Sequence, residues 1–72
     1  MTNAEKITLL EEMLELDEES ITAETKLDDI EEWDSMAALM LINLADLRFK
    51  KELVPNQIRN FQTVGDILDF LG

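Results

Sequence analysis

The stretch Glu32-Trp33-Asp34-Ser35-Met36 separates an acidic, irregular segment from the most apolar segment of this 72-residue chain. The apolar segment spans residues 36–47, in which only Asn43 and Asp46 are polar. It has no Gly or Pro and one β-branched residue, a composition that predicts a largely buried helix. Asp34 is well placed to be the N-cap of that helix, because its short carboxylate can accept hydrogen bonds from the first free backbone N–H groups.

Ser35 would then lie on the first helical turn, at the surface, with its hydroxyl near the positive end of the helix dipole. An anionic group attached to that hydroxyl would be favoured, because helix N-termini are natural phosphate sites. A partner enzyme could reach the hydroxyl without unfolding the protein. The alternative interpretation is a serine that simply begins the helix, either as its N-cap or in its first turn.

Capping signals and apolar periodicity predict a helix at each end of the chain. Thr2 and Glu5 have the spacing of a capping box, so a first helix is expected to begin there and to end near Leu16. Its core-facing side comprises Ile7, Leu10, Met13 and Leu14. Its outer side comprises Glu11, Glu12 and Glu15. Thr63 is the expected N-cap of the last helix, with Asp66 as its capping-box partner. The core-facing side of that helix comprises Val64, Ile67, Leu68 and Leu71.

The segments between these helices are also informative. Residues 17–32 are dominated by acids and lack helical periodicity, but widely spaced apolar residues predict an ordered loop that contacts the core at Ile21, Leu27, Ile30 and Trp33. Trp33 could serve as a structural anchor, line the path of a group attached to Ser35, or contact a partner enzyme. The acids lack the spacing and central Gly of an EF-hand loop, so no dedicated metal site is predicted. Pro55 suits the first turn of a short helix, from which Ile58 and Phe61 can pack inward.

The second helix is too apolar for all of its residues to be buried in so small a domain. We assign to its core-facing side Met36, Leu39, Ile42 and Phe49, with Ala38 and Ala45. We assign to its outer side Ala37, Met40, Asn43, Leu44 and Leu47. An exposed apolar patch on a small protein commonly marks an interaction surface.

Composition limits the possible functions. The formal net charge is −11, and residues 1–47 hold 14 acids against two lysines. This charge argues against nucleic acid as a partner and favours basic partner surfaces. The chain has no His and no Cys, and it is short for a catalytic cleft, so an enzyme is not expected. It shows no signal-peptide pattern and no apolar run of transmembrane length, so a cytoplasmic protein without membrane insertion is expected. We also expect the protein to be a monomer.

Asp34-Ser35-Met36 resembles the Asp-Ser-Leu/Met signature of acyl carrier proteins, and Thr63-Val64-Gly65-Asp66 resembles a Thr-Val-Gly/Asp stretch late in that family. The order of helix, acidic loop, serine, buried helix, Pro-led segment and final helix extends the resemblance over nearly the whole chain. It implies an all-α, up-and-down four-helix bundle in a single domain, residues 1–72, with three main helices, one short helix and a long loop between the first two. It also implies that Ser35 carries 4′-phosphopantetheine, transferred from coenzyme A by a phosphopantetheinyl transferase, while Asp34 caps the helix and belongs to the signature.

The resemblance further implies that an acyl thioester on the arm is presented to acyl-transferring and acyl-modifying enzymes of fatty acid or related biosynthesis. The expected acyl pocket comprises Leu39, Ile42, Ile58 and Phe61. The expected partner-binding residues are Met36, Ala37, Met40, Leu44 and Leu47. Carriers of primary fatty acid synthesis typically have acids at several outward positions of the second helix, whereas this chain has Ala37, Met40 and Leu47. The departure indicates a specialised carrier with its own partners.

Three alternatives remain at this stage. The first is a carrier of aminoacyl or polyketide units, although no Leu-Gly-Gly precedes the serine, which disfavours a peptide-synthetase carrier. The second is an unmodified helical adaptor, whose apolar second helix would bind a partner groove and whose function would survive Ser35→Ala. The third is a weak calcium sensor, which would bind calcium saturably and change conformation.

Overall fold

A computed structural model describes residues 2–72 of the chain, so that Met1 of the predicted 1–72 domain lies outside the described residues. The described residues form four α-helices: α1 (Asn3–Leu14), α2 (Ser35–Phe49), α3 (Pro55–Asn60) and α4 (Val64–Leu71). A 3₁₀ turn, Leu27–Asp29, lies in the connector between α1 and α2. The predicted all-α architecture, with three main helices, one short helix and a long first connector, is confirmed. Within residues 2–72 there is no helix with the length and apolar character needed to cross a membrane.

The helix starts follow the predicted local chemistry. The Thr2 and Glu5 capping box is present, and the Thr63 hydroxyl accepts a hydrogen bond from the Asp66 backbone N–H at 3.3 Å. The Asp66 carboxylate in turn accepts from the backbone N–H groups of Gln62, at 2.7 Å, and Thr63, at 3.1 Å. These bonds satisfy backbone donors that the first turn of a helix leaves unpaired. The first helix ends at Leu14, two residues before the predicted end.

The core is formed where α1 packs against α2 and α4. Its buried side chains include the four predicted for α4, which are Val64, Ile67, Leu68 and Leu71. Three of the predicted contact points in the connector are buried as well, namely Ile21, Leu27 and Ile30. The prediction of an ordered, core-bound connector is therefore confirmed at these three residues, whereas Trp33 is half-buried.

The prediction that Glu11 lies on the outer side of α1 is wrong, because this side chain is only 3% exposed. Its carboxylate accepts hydrogen bonds from the backbone N–H of Ser20, at 3.0 Å, and of Ile21, at 3.5 Å. A buried carboxylate requires such partners, since burial of an unpaired charge is strongly unfavourable. Glu11 thus attaches the beginning of the connector to α1.

The predicted orientation of α2 is wrong at several positions, although Ala45 is buried as predicted. The buried residues of α2 are Ala37, Leu41 and Ala45, which recur every four positions and form one line along the helix. Met36 is 64% exposed and Leu39 is 62% exposed, although both were assigned to the core. Because nearly every side of α2 is apolar, periodicity could not identify the buried side. The two alanines on that side leave room for neighbouring elements to approach the helix closely.

A short backbone ladder joins the connector to the α3–α4 loop and to the first residues of α4. The N–H of Leu27 donates to the Gln62 carbonyl oxygen at 3.0 Å, and the N–H of Val64 donates to the Thr25 carbonyl oxygen at 2.9 Å. The N–H of Gly65 donates to the Ala23 carbonyl oxygen at 2.7 Å. This ladder brings the 3₁₀ turn of the connector beside α3, and so positions one wall of the groove described next.

Candidate functional site

Ser35 is the first residue of α2, and its side chain is exposed. The N-cap is Asp34, whose Oδ1 accepts a hydrogen bond from the Ala37 backbone N–H at 2.9 Å. The alternative in which Ser35 itself caps the helix is therefore excluded. Since Asp34 supplies the cap, the Ser35 hydroxyl is available at the positive end of the helix.

An open groove lies beside this hydroxyl, between α2, α3 and the end of the connector, with a volume of about 560 Å³. The four residues of the predicted acyl pocket, Leu39, Ile42, Ile58 and Phe61, all line it. Asp34 and Ser35 also line the groove. A predominantly apolar cleft with a few polar groups at its rim is the usual form of a small-molecule site, and sites of about 300–1,000 Å³ are typical.

Several residues of this groove were not predicted. Leu27, Asp28, Ala38, Pro55 and Arg59 also line it, together with Trp33. Of these six, Trp33 alone is expected from the sequence as a lining of the path of a group attached to Ser35. The other five come from three separate segments of the chain, so no periodic pattern could have placed them together. The one signal in the sequence that could have pointed to them is the presence of polar residues, such as Arg59, within the short α3 helix.

Aromatic packing supports the α3 end of the groove from behind. The ring centroids of Phe61 and Phe70 are 6.0 Å apart and the rings are tilted by 57°. Lys51 donates a hydrogen bond from Nζ to the Phe70 carbonyl oxygen at 3.1 Å, and its Nζ lies 5.8 Å from the centroid of the Phe70 ring. These contacts connect the end of α2 to the end of α4 and so help to hold Phe61 in place.

The predicted partner-binding residues are not all accessible. Met36 and Leu47 are prominently exposed, at 64% and 67%, while Met40 is 38% exposed and Leu44 is half-buried. Ala37 is only 1% exposed, so the prediction that it contacts partners is wrong. Ala37 instead faces the core along the line described above for α2.

The acidic segments contain no evident metal centre. Within residues 2–72, no group of three or more acidic side chains is arranged to hold a metal ion. The carboxylates at the groove are Asp28 and Asp34, and the second of these is engaged in the helix cap.

The fold and the groove define a small helical domain that presents a serine hydroxyl beside an apolar cleft. The family model described as the phosphopantetheine attachment site matches residues 7–71, and the chain therefore belongs to this family. The match agrees with membership of the acyl carrier proteins, and the group attached covalently in this family is 4′-phosphopantetheine. No curated protein and no solved structure matches the chain significantly.

The residues present fit such a group. Its attachment requires a hydroxyl that a transferase can reach, and Ser35 is exposed on the first turn of a 15-residue helix. The phosphate formed there would lie at a helix N-terminus, where backbone N–H groups favour an anion. When bound, the arm supplies a thiol, which the chain itself lacks because it has no Cys. The family thereby implies a transferase and further enzymes as partners.

Proposed function

We propose that Ser35 is the attachment point of phosphopantetheine and that this protein carries an acyl group as a thioester on the arm. The observation that carries the proposal is the division of roles between Asp34 and Ser35. Asp34 closes the helix end through the Ala37 N–H, while the exposed hydroxyl of Ser35 stands beside the apolar groove. Catalysis would belong to the partner enzymes, and the chain itself would bind and position the cargo.

The groove provides the second part of the proposal. Leu39, Ile42, Ile58 and Phe61 would contact the acyl chain, and Leu39, although 62% exposed, lies at the edge of this cleft. Covering that edge with an acyl chain would remove apolar surface from water, which contributes roughly 25 cal/mol per Å² buried. The cleft is open, so cargo could leave it for a partner's active site without unfolding of the domain.

The exposed apolar residues of α2 are the proposed docking surface. Met36 and Met40 lie in the first half of α2 and Leu47 lies near its end, while Leu44 between them is half-buried. Flexible methionines suit more than one partner. The formal charge of residues 1–47 is −12, since 14 acids stand against two lysines. A partner with apolar contacts and a basic rim would match this surface. The apolar positions of α2 favour a specialised carrier of fatty acid or related acyl metabolism. We further propose that the carrier acts in the cytoplasm as a monomer.

Mass spectrometry tests the attachment point. The purified protein is incubated with coenzyme A and a promiscuous phosphopantetheinyl transferase, and the expected result is a mass increase of one phosphopantetheinyl group. Ser35→Ala should abolish the increase. Ser20→Ala is the matched control, because Ser20 is the one other serine of the chain and is also exposed. Modification that persists in Ser35→Ala and disappears in Ser20→Ala would refute the assignment.

The cargo site is tested on the loaded protein. Holo protein carrying a medium-chain acyl group is compared with its uncharged form by NMR of labelled methyl groups. We expect the largest shifts at Leu39, Ile42 and Ile58. Leu47 provides the internal control, because it is exposed to a similar extent as Leu39 but does not line the groove. Equal shifts at Leu39 and Leu47 would contradict an acyl site in this groove.

A further inference from the structure

Arg59 is the one basic side chain among the residues that line the groove, within the part of the chain that the structure describes. The other charged side chains of the lining are the carboxylates Asp28 and Asp34. The groove therefore combines an apolar floor with two anions and a single cation. In a protein of net charge −11, this combination decides which ligands the groove can accept.

Two opposing electrostatic effects act on an anion attached to Ser35. The N-terminus of α2 favours it, but the Asp34 carboxylate already occupies part of that N-terminus through its bond to Ala37. Asp28 and Asp34 would both repel a further negative charge beside them. A cation among the other residues that line the groove would offset this repulsion.

The guanidinium of Arg59 can bind an anion and so offset the repulsion from the two carboxylates. Arg59 lies on α3 and is exposed, and its Nη1 donates a hydrogen bond to the Asn56 side-chain oxygen at 3.2 Å. A guanidinium has five N–H donors, so this bond leaves others for an oxyanion, and it restrains the side chain on the surface of α3. Arginine is suited to carboxylates and phosphates because two parallel N–H groups can bind two oxygens at once.

The second half of the chain has three other cations, Arg48, Lys50 and Lys51, and none of them lines the groove. Lys51 is engaged with the carbonyl oxygen and the ring of Phe70. Arg48 lines a separate shallow cleft with Glu5, Thr8 and Leu9. Arg59 is therefore the residue through which the groove itself could select an anion.

We propose that Arg59 binds an oxyanion that the arm on Ser35 brings into the groove. This inference rests on the proposed function. The shared chemistry is a negatively charged oxygen pair, which could belong to the phosphodiester at the base of the arm or to a terminal carboxylate of a dicarboxylic acyl cargo. In the first case Arg59 orients the arm toward the groove, and in the second it selects the cargo.

The experiment begins with the mass increase at Ser35 described above. If no form of the protein is modified, the proposed function fails and the inference fails with it. If Ser35 is modified, four forms are prepared: apo, holo, acetyl-loaded and succinyl-loaded, the last two from the corresponding coenzyme A thioesters. The readouts are the ¹⁵N–¹H signal of Arg59 Nε, the ³¹P signal of the phosphodiester, and the melting temperature.

Phosphodiester binding predicts that the Arg59 Nε signal shifts between the apo and holo forms. It also predicts that Arg59→Gln shifts the ³¹P signal of the holo form. Carboxylate binding predicts instead that the Nε signal shifts only in the succinyl-loaded form and not in the acetyl-loaded form. In either case the relevant modification should raise the melting temperature by about 1–8 °C more in the unsubstituted protein than in Arg59→Gln.

Arg48→Gln is the matched control, since it removes the same charge and the same side chain from an exposed position outside the groove. The ³¹P signal and the rise in melting temperature on modification should be the same in this variant as in the unsubstituted protein. Arg59→Lys should retain part of the effect, because a lysine keeps the charge without the paired donors. An Nε signal that is unchanged in all four forms would overturn the inference, as would an Arg48→Gln effect equal to that of Arg59→Gln. Modification of Ser35 would stand in both cases.

Discussion

Gly65 occupies a position where the fold leaves no room for a side chain. A Cβ built at this position would lie 2.9 Å from the carbonyl oxygen of Ala23. Carbon and carbonyl oxygen normally remain about 3.3–3.6 Å apart even in a weak C–H···O contact, so the two backbone segments would have to separate by about 0.4–0.7 Å. The same carbonyl oxygen accepts the Gly65 N–H at 2.7 Å, so this separation would also stretch a hydrogen bond.

We therefore expect Gly65→Ala to destabilise the protein. Forcing an extra methyl group into a well-packed site costs about 1–3 kcal/mol. Because an unfolded chain with Ala has less backbone entropy than one with Gly, the substitution also stabilises the folded state by about 0.4–1 kcal/mol, which offsets part of this cost. The net loss should be about 1–2 kcal/mol, which corresponds to a fall in melting temperature of roughly 4–16 °C for a domain of this size.

Urea unfolding monitored by circular dichroism measures this loss, with Gly72→Ala as the glycine control. At Gly72 the added methyl group would meet the flexible end of Lys51 at 3.1 Å, which can move aside, although the positive φ of 71° adds some strain. The control should therefore cost less than Gly65→Ala. A Gly65→Ala variant as stable as the unsubstituted protein would show that the connector and α4 are not in the close contact described here.

Three further predictions concern the helix ends. Asp34→Ala should lower the free energy of unfolding by about 0.5–2 kcal/mol, because the Ala37 N–H loses its acceptor. Asp34→Asn should lower the free energy of unfolding much less, because Asn is also a good N-cap. Urea unfolding of both variants measures these differences. Hydrogen bonds from the backbone N–H groups of Gln62 and Thr63 hold the pKa of Asp66 below its usual value of 3.8. A lowered pKa in the folded state means that the contribution to stability is present above pH 3.8 and disappears as the pH falls through the folded-state pKa. The difference in the free energy of unfolding between the unsubstituted protein and Asp66→Asn should therefore become smaller in acid. Unfolding curves at several pH values measure this difference, and a difference that does not change with pH would contradict the prediction. Lys50 has a left-handed backbone with φ 53°, so Lys50→Gly should stabilise the protein by about 0.5–1 kcal/mol in thermal unfolding, whereas Lys50→Ala should not.

The sequence by itself determined where the helices begin. The caps at Thr2, Asp34 and Thr63 are formed by residues within three positions of their partners, so their chemistry is complete within a short segment. For the same reason the exposure of Ser35 on the first turn of α2 followed from the residue before it. The buried face of α4 was predictable as well, because polar residues separate its apolar positions clearly.

Only the tertiary structure decided which side of α2 is buried and what surrounds Ser35. A helix that is apolar on nearly every side has no preferred face of its own, so packing in the tertiary structure, including that against α1, selected Ala37, Leu41 and Ala45. The burial of Glu11 likewise depends on backbone donors that lie nine and ten residues away. The groove joins the connector, α2 and α3, and Arg59 lines it only because the backbone ladder brings these distant segments together.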